Sequence, residues 1–130
     1  MQVQGMTVLH VEDNVIDRFI VREAFAEHAP HVRVVMATTA AEAVPLARTE
    51  HPDLILLDLH LPDGTGDQLL EVLRRDPRCA HVPVIITSAD DREATRWAMA
   101  RAGAYGYLTK PLDTRNLVAL VTGIRAEAIA

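Results

Sequence analysis

Leu54-Ile55-Leu56-Leu57-Asp58 is the stretch that decides the fold. Four branched apolar residues stand together, opened by Pro52-Asp53 and closed by Leu61-Pro62-Asp63-Gly64. So short a run between prolines reads as a strand buried on both faces, because proline breaks helices and a core helix needs more length. The run ends on a carboxylate. In open parallel sheets chemistry is placed at the carboxyl tips of the strands, which makes Asp58 a candidate working group.

Towards the N-terminus, Met6-Thr7-Val8-Leu9-His10-Val11 reads as a first strand closed by the acidic pair Glu12-Asp13. Residues 15–28 carry helical spacing, with Ile16, Phe19, Ile20 and Ala24 expected on the inner face. Val32-Arg33-Val34-Val35-Met36-Ala37 is a second strand whose single internal charge suggests the sheet edge. Thr38-Thr39 offers N-cap oxygens to a helix running to Glu50, and Pro45 inside it predicts a kink or a late start.

Towards the C-terminus, residues 62–66 form a tight turn into a helix with Leu69, Val72 and Leu73 inward. Residues 82–87 read as a fourth strand, and Pro83 near its start costs little. Asp90-Asp91 suits a helix N-terminus, Ala94, Trp97, Ala98 and Ala102 form that helix's stripe, and Gly103 ends it. A fifth strand covers residues 104–109, followed by Lys110-Pro111 and a helix from about Asp113 that buries Leu117, Leu120, Val121 and Ile124. Five strands alternating with five helices imply an α/β class, a doubly wound parallel sheet covered on both faces. Periodicity leaves the strand order open.

Composition narrows the function. With 130 residues the chain is expected to form one domain, residues 1–130, with a real core and no output domain. No apolar stretch approaches the roughly 20 residues of a membrane span, and Met1-Gln2-Val3-Gln4-Gly5 lacks the features of a signal peptide. A lone cysteine, Cys79, excludes an internal disulfide framework and fits a reducing cytoplasm. A net charge of −5 argues against non-specific binding to nucleic acid or anionic lipid. Of 13 cationic side chains only Lys110 is a lysine, which suggests a need for a compact ammonium there.

The strand tips carry the chemistry. Glu12-Asp13, Asp58, Thr87-Ser88 and Lys110 all fall at strand ends, and a parallel sheet gathers those ends on one edge. Like charges about 4 Å apart in a partly screened site repel by about 4 kcal/mol. A divalent cation relieves this, and oxygen-only ligands select a hard one, Mg²⁺ in preference to Zn²⁺. A carboxylate nucleophile, a hard metal, an ammonium and hydroxyls are the parts of in-line phosphoryl transfer. Asp58 is therefore expected to become an aspartyl phosphate.

Glu12-Asp13, Asp58, Thr87-Ser88 and Lys110-Pro111 together resemble the receiver domain of two-component response regulators over essentially the whole chain. The resemblance implies the flavodoxin-like strand order 2-1-3-4-5. It implies that Asp58 accepts a phosphoryl group from a histidine kinase or a histidine phosphotransfer protein. Mg²⁺ would be held by Asp13, Asp58 and the backbone carbonyl of His60, with Glu12 acting through water. Lys110 would pair with phosphoryl oxygens, next to a cis bond to Pro111. Thr87 and Tyr107 would form the switch, Tyr107 being favoured over Tyr105, and would alter the surface of the fourth helix, fifth strand and fifth helix, through which a homodimer could form. His60 and Ala89 would set water access to the phosphorylated aspartate.

Other classes fit less well. An aspartate-nucleophile phosphatase needs a second acid two residues after the nucleophile, where this chain has His60. A flavodoxin needs a phosphate cradle after the first strand, where Glu12-Asp13-Asn14 would repel phosphate. A non-phosphorylated interaction module would have no need of the full set. The six histidines are scattered, and Cys79-Ala80-His81 lacks a partner pair for zinc and reads as a loop. The start, Leu9-His10-Val11-Glu12-Asp13-Asn14, resembles stand-alone regulators, whereas the Leu-Pro-Asp-Gly-Thr-Gly turn resembles receivers of hybrid kinases. Both origins stay open.

Overall fold

The computed structural model describes residues 5–129, with side chains up to residue 124. The elements in order are β1 (Met6–Val11), α1 (Val15–His28), β2 (Val32–Ala37), α2 (Ala40–Glu50), β3 (Leu54–Asp58), α3 (Gly66–Arg75), β4 (Val84–Ser88), α4 (Glu93–Arg101), β5 (Gly106–Thr109) and α5 (Thr114–Ile129). A small antiparallel ribbon, His60–Leu61 against Gly64–Thr65, links β3 to α3. The five strands form one parallel sheet in the order 2-1-3-4-5, the flavodoxin-like arrangement, with β2 at an edge. Among the described residues no helix is long and apolar enough to cross a membrane.

Strand alternation sorts the core into two layers. Leu9, Val11, Ile55, Leu57, Val84 and Ile86 face α2, α3 and α4. Met6, Val8, Leu54, Leu56 and Ile85 face α1 and α5. All five residues of β3 are buried, as expected of a strand covered on both sides.

Local capping explains why several boundaries agree with the sequence pattern. Asn14 Oδ1 accepts from the backbone N–H groups of Ile16 and Asp17, which starts α1 after Asp13. Thr39 Oγ1 accepts from Glu42 N and starts α2 at Ala40. The late start expected from Pro45 does not occur. Pro45 and Ala41 both lie on the exposed side, so water can take the Ala41 carbonyl that the proline leaves without a donor. Gly103, with φ of +104°, ends α4 in the left-handed region.

Three helix faces differ from the expected ones. In α1 the buried residues are Val21, Ala24 and Phe25, while Ile16 and Phe19 are 65 % and 57 % exposed. The helix turns instead the face that begins at Asp17, whose carboxylate reaches Lys110. In α3, Leu70 takes the place expected for Val72, giving the face Gly66, Leu69, Leu70, Leu73. In α4 only Met99 is buried and Trp97 is 67 % exposed. That short helix gives the core one buried side chain, because its alanines bring little apolar area, and Arg96 adds a polar contact to Thr109 of the sheet. Strand β4 starts after Pro83, whose carbonyl accepts from Ile55 N. Strand β5 starts at Gly106 and not at Ala104, because Ala104 N bonds back to the Met99 carbonyl of α4; the first bond to β4 is made by Tyr105 N at the Val84 carbonyl.

Candidate functional site

Register brings the strand tips together. Val11 lies opposite Leu57, and Asp58 lies opposite Thr87. Ser88 lies opposite Thr109, the residue before Lys110. Glu12, Asp13 and Asp58 thereby offer carboxylate oxygens that all lie within 4.8 Å of one another. Glu12 and Asp58 are buried and Asp13 is exposed, so the cluster opens to solvent on one side.

Lys110 reaches into this cluster. Its Nζ donates to Glu12 Oε1 at 2.7 Å, Asp17 Oδ2 at 2.9 Å and Asp58 Oδ2 at 3.3 Å. Burial opposes its charge, but the Glu12 and Asp17 hydrogen bonds and the Asp58 charge outweigh this and hold the ammonium above its usual range. Burial pushes the Glu12 carboxyl up to about 7, and its hydrogen bond to Asp58 acts in the same direction. The peptide bond from Lys110 to Pro111 is cis.

The remaining residues lie around the cluster. His60 is exposed, and its backbone N–H donates to Asp58 Oδ1 at 3.1 Å. Thr87 is fully buried and its Oγ1 has no partner among the described residues. Ser88 Oγ is already engaged, accepting from Asp90 N at 3.0 Å. Tyr107 is half-buried; its hydroxyl donates to the Asp90 carbonyl, and the Arg96 guanidinium sits 4.9 Å from its ring centre. Tyr105 is 49 % exposed. Ala89 is exposed beside the Thr87-Ser88 strand end.

Two residues here were not singled out in the sequence. Asp17 lies in the first turn of α1, and nothing local in the sequence couples it to Lys110, 93 positions away. Gly66 reads only as part of a turn. In the structure its backbone lies against that of Asp58: an added Cβ would stand 2.9 Å from the Asp58 carbonyl oxygen and 3.0 Å from Leu59 Cα. Gly66 N also donates to Leu59 O at 2.6 Å. Gly66→Ala is therefore expected to destabilise the fold by about 1–3 kcal/mol through overpacking against backbone. A urea midpoint equal to that of the parent protein would show that the contact relaxes without cost.

The donor set fits a hard divalent cation. It holds oxygen only, with no histidine or thiolate, and ligands of one octahedral magnesium lie no more than about 4 Å apart, a separation the cluster nearly meets already.

Residues 8–122 match the family model described as the response regulator receiver domain. The chain belongs to that family. It is 31 % identical over 119 residues to protein PilH of Pseudomonas aeruginosa, covering 92 % of this chain and 97 % of PilH. Its fold is similar to that of the phosphorylated cyanobacterial phytochrome response regulator RcpA, with 29 % identity, a TM-score of 0.75, and coverage of 92 % of this chain and 91 % of the other. It is likewise similar to the receiver domain of the sensor histidine kinase PA1611 of Pseudomonas aeruginosa, determined with a magnesium ion in its active site cleft. That likeness has 27 % identity, a TM-score of 0.79, and coverage of 89 % and 93 %. Receiver domains are signalling phosphoacceptors of two-component systems, bind Mg²⁺ at an acidic pocket and interact with histidine kinases or phosphotransfer proteins. This receiver carries an acidic group of that kind, Glu12, Asp13 and Asp58.

Proposed function

We propose that this receiver takes a phosphoryl group onto Asp58 from the phosphohistidine of a histidine kinase or histidine phosphotransfer protein. One observation carries the reading: three strand-tip carboxylates converge on one point while the only lysine of the chain spans two of them. Asp13, Asp58 and the His60 carbonyl would hold Mg²⁺, with Glu12 engaged through water. When bound, the ion supplies positive charge that cancels carboxylate repulsion and stabilises the transferring phosphoryl oxygens.

The chain's own groups do the rest. An Asp58 carboxylate oxygen approaches phosphorus in line; the new O–P bond forms as the N–P bond of the phosphohistidine breaks. The bonding pair leaves with the imidazole nitrogen, which takes a proton from solvent. Lys110 places its ammonium against the incoming phosphoryl oxygens. The Thr87 hydroxyl, buried beside Asp58 without a partner among the described residues, is available to donate to one of them. Ser88, whose side chain is engaged with Asp90, contributes through its backbone. Movement of Thr87 would open room for Tyr107, which must first leave the Asp90 carbonyl, and the surface of α4, β5 and α5 changes with it. A second copy of the chain could pair on that surface. Such a phosphoacceptor would act in the cytoplasm.

Incubation with acetyl phosphate and Mg²⁺, followed by intact-mass measurement, tests this. The expected result is one added phosphoryl group per chain, absent without Mg²⁺ and absent in Asp58→Asn. Sustained hydrolysis of an added phosphate monoester would instead indicate a phosphatase, and a chain left unmodified by acetyl phosphate would leave an interaction module.

A further inference from the structure

The Lys110 ammonium has three donors, and three different carboxylates take one each. To bind a phosphoryl oxygen it must release at least one of them. The three partners are not equivalent. The side chains of Glu12 and Asp58 are 1 % and 8 % exposed, and both belong to the metal cluster. Asp17 is 27 % exposed, lies outside that cluster, and among the described residues its carboxylate bonds Lys110 alone. Its position is set by α1: Asp17 N donates to Asn14 Oδ1 at 3.0 Å in the first helical turn. The contact therefore ties α1 to the loop that follows β5.

We infer that Asp17 is a positioning residue that acts through Lys110, holding the ammonium back so that the site binds its metal more tightly and its phosphoryl anion less tightly. The inference rests on the phosphoacceptor reading above and deepens it. Charge and hydration give the direction. A carboxylate that is partly in water is the least costly of the three for Lys110 to give up, since water replaces the lost hydrogen bond. Until it is given up, Asp17 offsets the lysine charge and leaves more of the Glu12 and Asp58 charge for a cation. Removing Asp17 frees that ammonium for the anion and turns it against the cation.

Asp17→Asn tests this, with Asp17→Glu as the charge-retaining control. Because Lys110 is the only lysine, acylation of the metal-free protein with an amine-selective reagent, mapped to the peptide, reads this one ammonium. The expected results for D17N are acylation about threefold to tenfold faster, an Mg²⁺ dissociation constant about threefold to tenfold higher, and, with each protein saturated in Mg²⁺, half-saturation by beryllofluoride at about threefold to tenfold lower concentration. D17E returns all three towards the parent values. A role confined to folding would weaken both ligands together. If D17N moves Mg²⁺ and beryllofluoride in the same direction, moves neither, or matches D17E, Asp17 has no such role and the phosphoacceptor reading stands. If the parent protein binds neither ligand, both fall.

Discussion

Lys110→Ala is expected to slow phosphoryl uptake by Asp58 about 100-fold, the usual cost of deleting a donor aimed at developing negative charge. The ammonium sits 3.3 Å from Asp58 Oδ2 and 2.7 Å from Glu12 Oε1, so it occupies the side of the acceptor carboxylate from which phosphoryl oxygens need a counter-charge. The same deletion leaves Glu12, Asp17 and Asp58 with more uncompensated charge, so Mg²⁺ affinity should hold or rise. A loss in transfer without a loss in metal binding separates a role on the anion from general damage to the site. Lys110→Arg should not restore the rate, because a planar guanidinium cannot place one donor on each of three converging carboxylates. Time courses of intact mass with acetyl phosphate, beside calorimetric Mg²⁺ titrations, read both quantities. Uptake at the parent rate in K110A would remove Lys110 from the reaction.

The second large effect is on stability, and it comes from His10. This side chain is fully buried on the β1 face that leads to Glu12, with neither ring nitrogen partnered among the described residues. Burial, and the nearby Lys110 charge after it, lower its pKa from 6.5 to about 4. Between those values the unfolded chain takes up a proton that the folded chain refuses. Stability from this group is therefore complete above pH 6.5 and is lost as pH falls towards 4, by about 3 kcal/mol in all.

Glu12 acts with the opposite sign in the metal-free protein. Its folded pKa of about 7 lies above the ordinary 4.5, so the folded chain holds a proton that the unfolded chain releases. Its contribution falls as pH rises from 4.5 to 7. From pH 4.5 to 6.5 the two slopes cancel and metal-free stability should be nearly flat. Saturating Mg²⁺ favours the Glu12 carboxylate and removes the opposing slope, leaving a rise with pH due to His10. His10→Val should abolish that rise and gain about 3 kcal/mol over the parent protein near pH 4, less at pH 7. Urea unfolding at several pH values, with and without Mg²⁺, reads all of this. A Mg²⁺-saturated profile that stays flat from pH 4.5 to 6.5 would show that His10 is not held neutral.

How far these features can be read without coordinates depends on the range of the interaction behind each. The bounds of β1, β2 and α1 follow from near neighbours: an Asn14 cap, the break at Ala29-Pro30 and the alternation of β1. The layered α/β class follows from the alternation of apolar runs, and the acids at strand ends follow from it in turn. Strand order was implied by likeness to a known family and not by periodicity, since no local pattern says which strand lies beside which.

The helix faces needed the fold. Ile16-Phe19-Ile20 and Val21-Ala24-Phe25 are both apolar helical patterns on α1, and which one is buried depends on where the sheet and Lys110 lie. Trp97 is the largest apolar side chain on α4 yet lies exposed, and it is Met99 that α4 buries. Gly66 and Asp17 acquire their meaning only from contacts with Asp58 and Lys110. Short-range propensity and charge thus carried the layers and the candidate ligands of this receiver. The inward face of each helix, and the company each charged group keeps, came from packing between segments as far as 98 residues apart, which no window of neighbouring side chains encodes.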